Sequence, residues 1–248
     1  NTAAAKVAVQ WDLHRGAMRL WLSSGTVHDQ RTGPVATTLP PGALRLNDLG
    51  FFKLATFAED AAAGRYFFSH YKQGTLVYTD AGEPLNLVSR LQQQGPHPLD
   101  LPVRLGELRL ACRLIALPAS PDQVRKRHRR LREIARKRQR PTSQQALAWA
   151  GWTLYVTNIP AEQLAPTEAA TLGSTRWQIE CLFKLWKSDG HLARSRSQDP
   201  HRVLCEFYAK LLACLVQHWI TLVGCWQRLD RSLHQATQVI RKRAFCLL

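Results

Sequence analysis

Apolar side chains alternate with small or polar ones in several parts of the chain, a period that is typical of half-buried β-strands. Residues 6–13 and 18–23 alternate on either side of a turn that contains Gly16, so we expect residues 6–23 to form a β-hairpin. Residues 43–48 and 152–158 predict two further strands. The first of these ends at Asp48 and is followed by a predicted helix over residues 53–63.

The middle of the chain consists of short β-rich runs separated by glycine and proline. These runs cover residues 66–71, 75–79, 85–91 and 107–117. We expect them to form a separate sheet, an inserted β subdomain, while residues 6–23, 43–48 and 152–158 share one mixed sheet. From Pro166 onward the pattern is helical almost to the end. The predicted fold class is therefore α/β.

The charge of the chain indicates a polyanionic partner, because the formal net charge is +16. Ten of the sixteen residues 125–140 are Lys or Arg. This run, within a predicted exposed helix over residues 124–140, either tracks phosphate groups or is a solvated charged segment. Nucleic acid is the expected partner. An anionic membrane surface is the alternative, but it needs a basic helix with an apolar face that stands apart from the core.

Cysteine usage and hydropathy favour a cytosolic protein. The six cysteines lack the paired close spacing of zinc sites or redox motifs, so we expect buried, reduced thiols. The longest apolar stretch, residues 211–226, is interrupted by Gln217 and His218 and is shorter than the ~20 residues of a membrane span, which favours a buried helix. No signal peptide opens the chain, which also indicates a cytosolic protein. The chain begins at Asn1 and not with methionine, and it ends on an apolar segment, so we expect a fragment cut at both ends.

Residues 174–191 carry the pattern with the most chemical information. At about 100° per residue, Arg176, Glu180 and Lys187 fall on one face of a helix with Lys184 beside them. Large apolar residues lie on the opposite side: Ile179, Leu182, Leu185 and Trp186. One carboxylate among three cations is either a solvated face with salt bridges between successive turns or a functional site.

Tryptophans and histidines add little to this picture. We expect Trp177 and Trp186, which flank the apolar side of the predicted helix, to pack in the core. The histidines lack the spacing of metal ligands, so structural roles are expected for His70, His191, His201 and His218.

The segment resembles a motif of the DDE transposases of bacterial insertion sequences, in the group with the signature Tyr, two residues, Arg, three residues, Glu, six residues, Lys. Arg176, Glu180 and Lys187 match it in identity and spacing, and residues 156–160 upstream are also similar to the family.

Gly173 stands where the signature has tyrosine. Because glycine is unfavourable inside a helix, we expect the helix to begin near Thr175, with Gln178 completing a capping box.

The resemblance extends backwards along nearly the whole chain. The family carries its second catalytic aspartate in an Asp-x-Gly-aromatic motif at the end of a strand, and Asp48 begins such a motif in residues 48–51. Taken alone, Asp48 is as easily an aspartate that caps the next helix. The opening hairpin is similar too, with Asp12 in its turn.

This resemblance implies an RNase H-like mixed sheet flanked by helices, with an inserted β-rich subdomain. We expect residues 1–65 to be the first part of the catalytic core, residues 66–118 the inserted β subdomain, residues 119–145 a basic helical segment, and residues 146–248 the second part of the core with C-terminal helices.

The resemblance also implies a site. In the family two aspartates and a glutamate hold two divalent ions, usually Mg²⁺ (or Mn²⁺), ~3.5 to 4 Å apart. Asp48 and Glu180 are the expected catalytic residues and metal ligands, and Arg176, Lys184 and Lys187 are expected to bind DNA. The first aspartate has no counterpart, because Asp12 matches the hairpin turn; we expect it in deleted sequence, which would leave this fragment alone inactive.

The function implied is that of a DNA transposase that cleaves strands at insertion-sequence ends and joins them to target DNA. The implied partners are double-stranded DNA (transposon ends and target) and a second copy of the chain in a synaptic homodimer, with no membrane, in a cytoplasmic, nucleoid-associated location. Two alternatives stay open: a catalytically inactive DNA-binding remnant that inhibits an intact transposase, and a general endonuclease of the same fold.

Overall fold

The computed structural model describes residues 5–24, 26, 39–188, 190–192, 194–195, 197–225 and 233–243. The chain divides into two compact units, with the boundary between Arg176 and Trp177. The strands, all in the first unit, are β1 (Ala5–Trp11), β2 (Met18–Ser24), β3 (Leu44–Asn47), β4 (Tyr66–His70), β5 (Val77–Thr79), β6 (Leu99–Leu105), β7 (Leu110–Pro118) and β8 (Trp152–Thr157). The helices of that unit are α1 (Leu54–Ala62), α2 (Leu87–Gln94), α3 (Pro121–Lys137), α4 (Gln144–Ala150) and α5 (Pro166–Thr175).

The main sheet has six strands in the order β3-β4-β8-β7-β6-β5. β3 and β4 run parallel, joined through α1, and the other neighbours are antiparallel. Helices cover both faces, because alternate residues of the central strands enter two separate cores. This mixed sheet flanked by helices confirms the predicted α/β, RNase H-like class.

The predicted division of the strands between two sheets is wrong. Residues 66–118 do not form a sheet of their own, since β4, β5, β6 and β7 continue the sheet that contains β3 and β8. The hairpin β1–β2, expected in the main sheet, pairs only with itself among the described strands. Alternation along a strand reports which side chains are buried but not which strand lies beside it, so the pattern could not reveal this order.

Local patterns located most elements to within a few residues. β6 and α4 were not predicted, and the run at residues 85–91, which was predicted as a strand, forms the start of α2. Asn86 caps that helix, since its side-chain oxygen accepts a hydrogen bond from the Ser89 N–H at 3.2 Å. The Asn–x–x–Ser spacing was the overlooked signal.

A buried carboxylate fastens α1 to β3 and β4. Asp60, 1% exposed, accepts hydrogen bonds from Arg45 at 2.7 and 3.1 Å and from Arg65 at 2.8 Å. Arg45 lies in β3 and Arg65 directly precedes β4. The cluster therefore fixes the parallel β3–α1–β4 unit, at whose carboxyl end Asp48 lies.

The second unit is helical, with α6 (Trp177–Ser188), α7 (Pro200–Cys225) and α8 (Leu233–Arg243). After α6 the Gly190 N–H donates to the Leu185 carbonyl oxygen at 3.1 Å. Gly190 packs so closely on the Cys214 Sγ atom of α7 that no side chain fits there.

α7 is more exposed than its sequence predicts. Leu211 and Cys214 are buried. Several apolar side chains of the same helix are exposed, contrary to the prediction of a buried helix: Leu204, Tyr208, Leu212, Val216 and Trp219. The stretch Pro200–Thr221 is also long and apolar enough to cross a membrane, by length and composition only. A single helix of this length and composition assigns no membrane role.

The prediction of buried thiols is correct for Cys112 and Cys214 and wrong for Cys205, which is exposed. Burial raises the pKa of Cys112 to about 12, so its thiol stays protonated and unreactive at neutral pH. Cys246 lies outside the described residues.

We predict that Asp60→Ala lowers the free energy of unfolding by about 3–5 kcal/mol, because it leaves two largely buried guanidinium groups without their carboxylate. Urea denaturation followed by circular dichroism measures the effect. Asp80→Ala is the matched control: its ion pair with Arg104 at 3.2 Å is solvent-exposed, so the expected loss is below about 1 kcal/mol. Equal losses in the two variants would contradict this role of Asp60.

Candidate functional site

Asp48 lies directly after β3, at the carboxyl end of the strand. Its Oδ1 atom accepts a hydrogen bond at 2.8 Å from the backbone N–H of Leu49, the first residue of a single 3-10 turn, Leu49–Phe51. The capping role considered for this aspartate is thus real, although it serves one short turn and not α1. The Asp48 side chain is still 55% exposed, which leaves the carboxylate accessible to a ligand.

Arg176 reaches the same carboxylate from a distant part of the sequence. Its Nη1 atom donates to Asp48 Oδ1 at 2.9 Å across a separation of 128 residues, and the Arg176 side chain is only 20% exposed. Both residues belong to the first unit. The structure therefore brings the aspartate of residues 48–51 into contact with the arginine of the 173–187 pattern.

The 173–187 pattern is divided between two helices. α5 ends at Thr175, whose hydroxyl donates to the Thr171 carbonyl oxygen at 3.1 Å, and α6 begins at Trp177. The helix therefore begins two residues later than predicted. Gly173 lies inside α5, so the position at which the family signature has tyrosine belongs to the helix before α6.

Side chains at the end of β8 set the path toward α5. The Thr157 hydroxyl donates to the Phe67 carbonyl oxygen at 2.7 Å. The Asn158 amide oxygen accepts from the Phe67 N–H, and its Nδ2 donates to the Arg65 carbonyl oxygen, both at 2.8 Å. These bonds extend the β4–β8 pairing after the backbone ladder stops, which accounts physically for Thr and Asn in residues 156–160.

Arg113 of β7 then holds the loop that leads into α5. It donates to the Ile159 carbonyl oxygen at 2.6 Å and to the Leu164 carbonyl oxygen at 3.1 Å, and it is paired with Asp100 of β6. The side chain is 13% exposed. The start of α5, and through it Arg176, is therefore tied to two strands of the sheet. Sequence reasoning missed Arg113, which nothing in the local pattern distinguishes from a solvated arginine.

Gly173 is explained by the ring of Tyr155. A Cβ atom at position 173 would lie 2.6 Å from the Tyr155 Cε1 and hydroxyl oxygen atoms, well inside van der Waals contact. Tyr155 is 5% exposed, lies in β8 and stacks on Phe68 at 4.9 Å between ring centroids, so it has little room to move. Glycine at 173 therefore allows α5 to pack directly on this buried tyrosine.

His70 was assigned a structural role, and the structure places it beside the Asp48–Arg176 pair. Asn47 pairs with Ser69 in the parallel register, so Asp48 and His70 follow at neighbouring strand ends. Burial is the main cause of the lowered pKa of His70; Arg176 acts in the same direction and Asp48 opposes it. Burial raises the pKa of Tyr155, whose ring centroid is 4.7 Å from that of His70. At neutral pH both rings are thus uncharged.

α6 shows the two faces that the sequence predicts. Glu180, Lys184 and Lys187 are exposed, whereas Leu182 and Trp186 are buried. The core prediction is correct for Trp186.

The core prediction is wrong for Trp177, which is 53% exposed. Lys184 Nζ lies 5.5 Å from the centroid of the Trp177 ring, within the range of a cation–π contact. Trp177 is the first residue of α6, and at this position the apolar face of the helix is exposed.

Asp12 is a turn residue, as predicted. Its Oδ1 atom accepts from the backbone N–H groups of His14 and Arg15, both at 3.0 Å, and the Arg15 bond is the main cause of its lowered pKa. Within the described part of the chain, no three His, Cys, Asp or Glu side chains are grouped as metal ligands.

Comparison with known proteins relates the chain to transposases. Residues 2–216 match the family described as transposase DDE domain. The chain is 29% identical over 234 residues to the transposase for insertion sequence element IS231F of Bacillus thuringiensis subsp. israelensis, covering 86% of this chain and 49% of that protein. It is 25% identical over 245 residues to the transposase for IS1151 of Clostridium perfringens, covering 90% and 52%.

A third similarity is shorter: 32% identity over 105 residues to the putative transposase InsL for IS186A of Escherichia coli (strain K12), covering 42% of this chain and 28% of that protein. The chain thus spans about half the length of the IS231F and IS1151 transposases.

We predict that Gly173→Ala destabilises the protein by about 1–3 kcal/mol through overpacking against Tyr155. The sign is diagnostic, because glycine to alanine inside a helix ordinarily stabilises by about 1 kcal/mol. The control is Gly151→Ala at the end of α4, where the new Cβ meets its nearest neighbour at an ordinary 3.4 Å. Thermal denaturation compares the two; a stabilised Gly173→Ala variant would refute the packing explanation.

Proposed function

Because the chain belongs to the transposase DDE domain family, we propose that it is the catalytic region of a DNA transposase. In this proposal it cleaves DNA strands at the ends of an insertion sequence and transfers them to target DNA by metal-dependent phosphoryl transfer. The observation that carries the proposal is the contact between Asp48 and Arg176. These residues belong to two separate sequence motifs, which would have no reason to meet at the end of one strand in an unrelated protein.

Glu180 is the second proposed catalytic carboxylate. It follows Arg176 by four residues, so chain connectivity alone keeps its Cα atom within about 14 Å of the Arg176 Cα atom. The Arg176 guanidinium in turn touches Asp48. We propose that the carboxylates of Asp48 and Glu180 would together hold the two divalent ions that such a phosphoryl transfer uses.

Mg²⁺ (or Mn²⁺) is the proposed cofactor, held by Asp48 and Glu180. Both side chains are exposed, and carboxylate oxygens are the hard ligands that these ions prefer. When bound, such ions orient the attacking oxygen and stabilise the charge that develops on the leaving oxygen of an in-line transfer. Arg176 competes with a cation for Asp48 Oδ1, so binding of metal would release its guanidinium to another anion.

The anion proposed for the released guanidinium is a DNA phosphate close to the scissile bond. Lys184 and Lys187, both exposed on the Glu180 side of α6, are proposed to hold the same backbone. Because two DNA ends must be held at once, a synaptic homodimer that works in the cytoplasm at the nucleoid belongs to the same proposal.

Strand cleavage by variant proteins tests the proposal. The protein, expressed from its complete gene, is incubated with Mg²⁺ and duplex DNA that carries the sequences flanking that gene. We expect Asp48→Asn and Glu180→Gln each to lower the cleavage rate on the order of 10³-fold, since bound ions supply several kcal/mol to the transition state.

Asp80→Asn, at an exposed carboxylate in a β-turn, is the matched control and should cleave at the normal rate. Cleavage that survives either catalytic substitution would overturn the site assignment. A protein that binds the flanking DNA but never cleaves it would favour the inactive DNA-binding remnant.

A further inference from the structure

α3 is the most strongly charged element of the chain. Its 17 residues include eight Lys or Arg and two acids, Asp122 and Glu133. A capping box closes its first turn, in which the Gln123 N–H donates to the Ser120 hydroxyl at 3.3 Å and the Ser120 N–H donates to the Gln123 side chain at 3.1 Å. The helix therefore has a defined first turn.

Two polar side chains fasten α3 to the sheet layer. Arg127 donates to the Ala150 and Trp152 carbonyl oxygens at 3.1 and 2.8 Å and to the Thr153 hydroxyl at 2.8 Å. His128 Nε2 lies 3.1 Å from the Leu147 carbonyl oxygen. Arg127 is thereby used for the fold, and the orientation of α3 about its axis is set.

That orientation directs four arginines outward in one stripe, which we call the arginine stripe: Arg125, Arg129, Arg132 and Arg136. The spacing of four, three and four residues places them within about 60° of one another around the helix. All four are exposed. They span about 16 Å along the axis, from eleven residues at 1.5 Å each.

The acids of α3 leave most of this stripe available. Asp122 is paired with Arg125, at the first position of the stripe. Glu133 lies about 80° around the helix from Arg125, between the stripe and the exposed cations Lys126 and Lys137, and it lines the same surface groove as the stripe. Arg129, Arg132 and Arg136 therefore keep an excess of positive charge beside this single acid.

We propose that the arginine stripe is a docking surface for the phosphate backbone of duplex DNA, outside the cleavage site; the identity of the polyanion rests on the proposed function. Duplex DNA carries one negative charge per ~1.7 Å of its axis, so 16 Å of helix faces several phosphates. Each basic side chain that neutralises a phosphate releases a condensed counterion, whether it is Arg or Lys. A membrane surface fits less well, because Val124 and Leu131 are half-buried on the packed side and the outward face is cationic.

The test is the salt dependence of binding to a random-sequence duplex of about 30 base pairs, measured by fluorescence anisotropy without divalent metal. For Arg129→Gln/Arg132→Gln/Arg136→Gln we expect the slope of log K against log salt to become less negative by about 2 to 3, and affinity at ~0.1 M salt to fall on the order of 100-fold. Replacing the same three arginines by lysine should preserve most of the affinity, because a phosphate track requires charge.

The matched control is Arg15→Gln/Arg19→Gln/Lys72→Gln, which removes three exposed cations located outside α3. An equal loss in the control would overturn the proposal, since only net charge would then matter. So would unchanged duplex binding by the stripe variant, or a loss confined to single-stranded DNA or to vesicles of phosphatidylserine and phosphatidylcholine. Circular dichroism verifies that the variants are folded.

This outcome is independent of catalysis. Duplex binding is measured without divalent metal, so strand cleavage does not enter the measurement. If the stripe binds DNA but the protein never cleaves it, the docking surface is supported and only the proposed function is wrong. If the protein cleaves DNA but the stripe substitutions do not change duplex binding, the proposed function is supported and the docking surface is wrong.

Discussion

The antiparallel pairing of β4 with β8 is the contact on which the first unit depends. It joins strands that are about 90 residues apart in sequence, and so it carries the entropic cost of closing a long loop. The buried hydroxyl of Thr157 and the amide of Asn158 add three hydrogen bonds to the two strand ends. Because the pairing is antiparallel, the chain leaves β8 beside the amino end of β4. α5 then returns along the sheet, so that Arg176, directly after it, meets Asp48 at the carboxyl end of β3.

The positive charge of the chain is divided between two kinds of cation. Arg45, Arg65, Arg113 and Arg127 are largely buried, and each satisfies carboxylate or carbonyl oxygens that would otherwise be unpaired in the interior. They are parts of the architecture. Other described cations, including most of those on α3 and the lysines of α6, are exposed. The net charge of +16 therefore overstates the surface available to a polyanion, and only the structure separates the two groups.

The sequence predicted local features well because they depend on neighbouring residues. Alternation located β8, and helical spacing separated the charged face of α6, with Glu180, from its buried Trp186. Long-range pairing was not predictable: the order of β3, β4 and β8 follows from contacts among residues far apart. The same limit applies to Gly173, whose neighbour Tyr155 lies 18 positions earlier, and to Arg113, whose carbonyl partners lie on a distant loop.

The central claim is that Asp48 and Glu180 hold the same metal ions, and iron-directed backbone cleavage tests it directly. Fe²⁺ is bound in place of Mg²⁺, ascorbate and peroxide generate hydroxyl radicals at the ion, and mass spectrometry locates the resulting cuts. A shared site predicts cuts close to both residue 48 and residue 180, with both sets suppressed by Asp48→Asn alone. Cuts near only one of the two positions, or cuts near residue 180 that persist undiminished in Asp48→Asn, would contradict it.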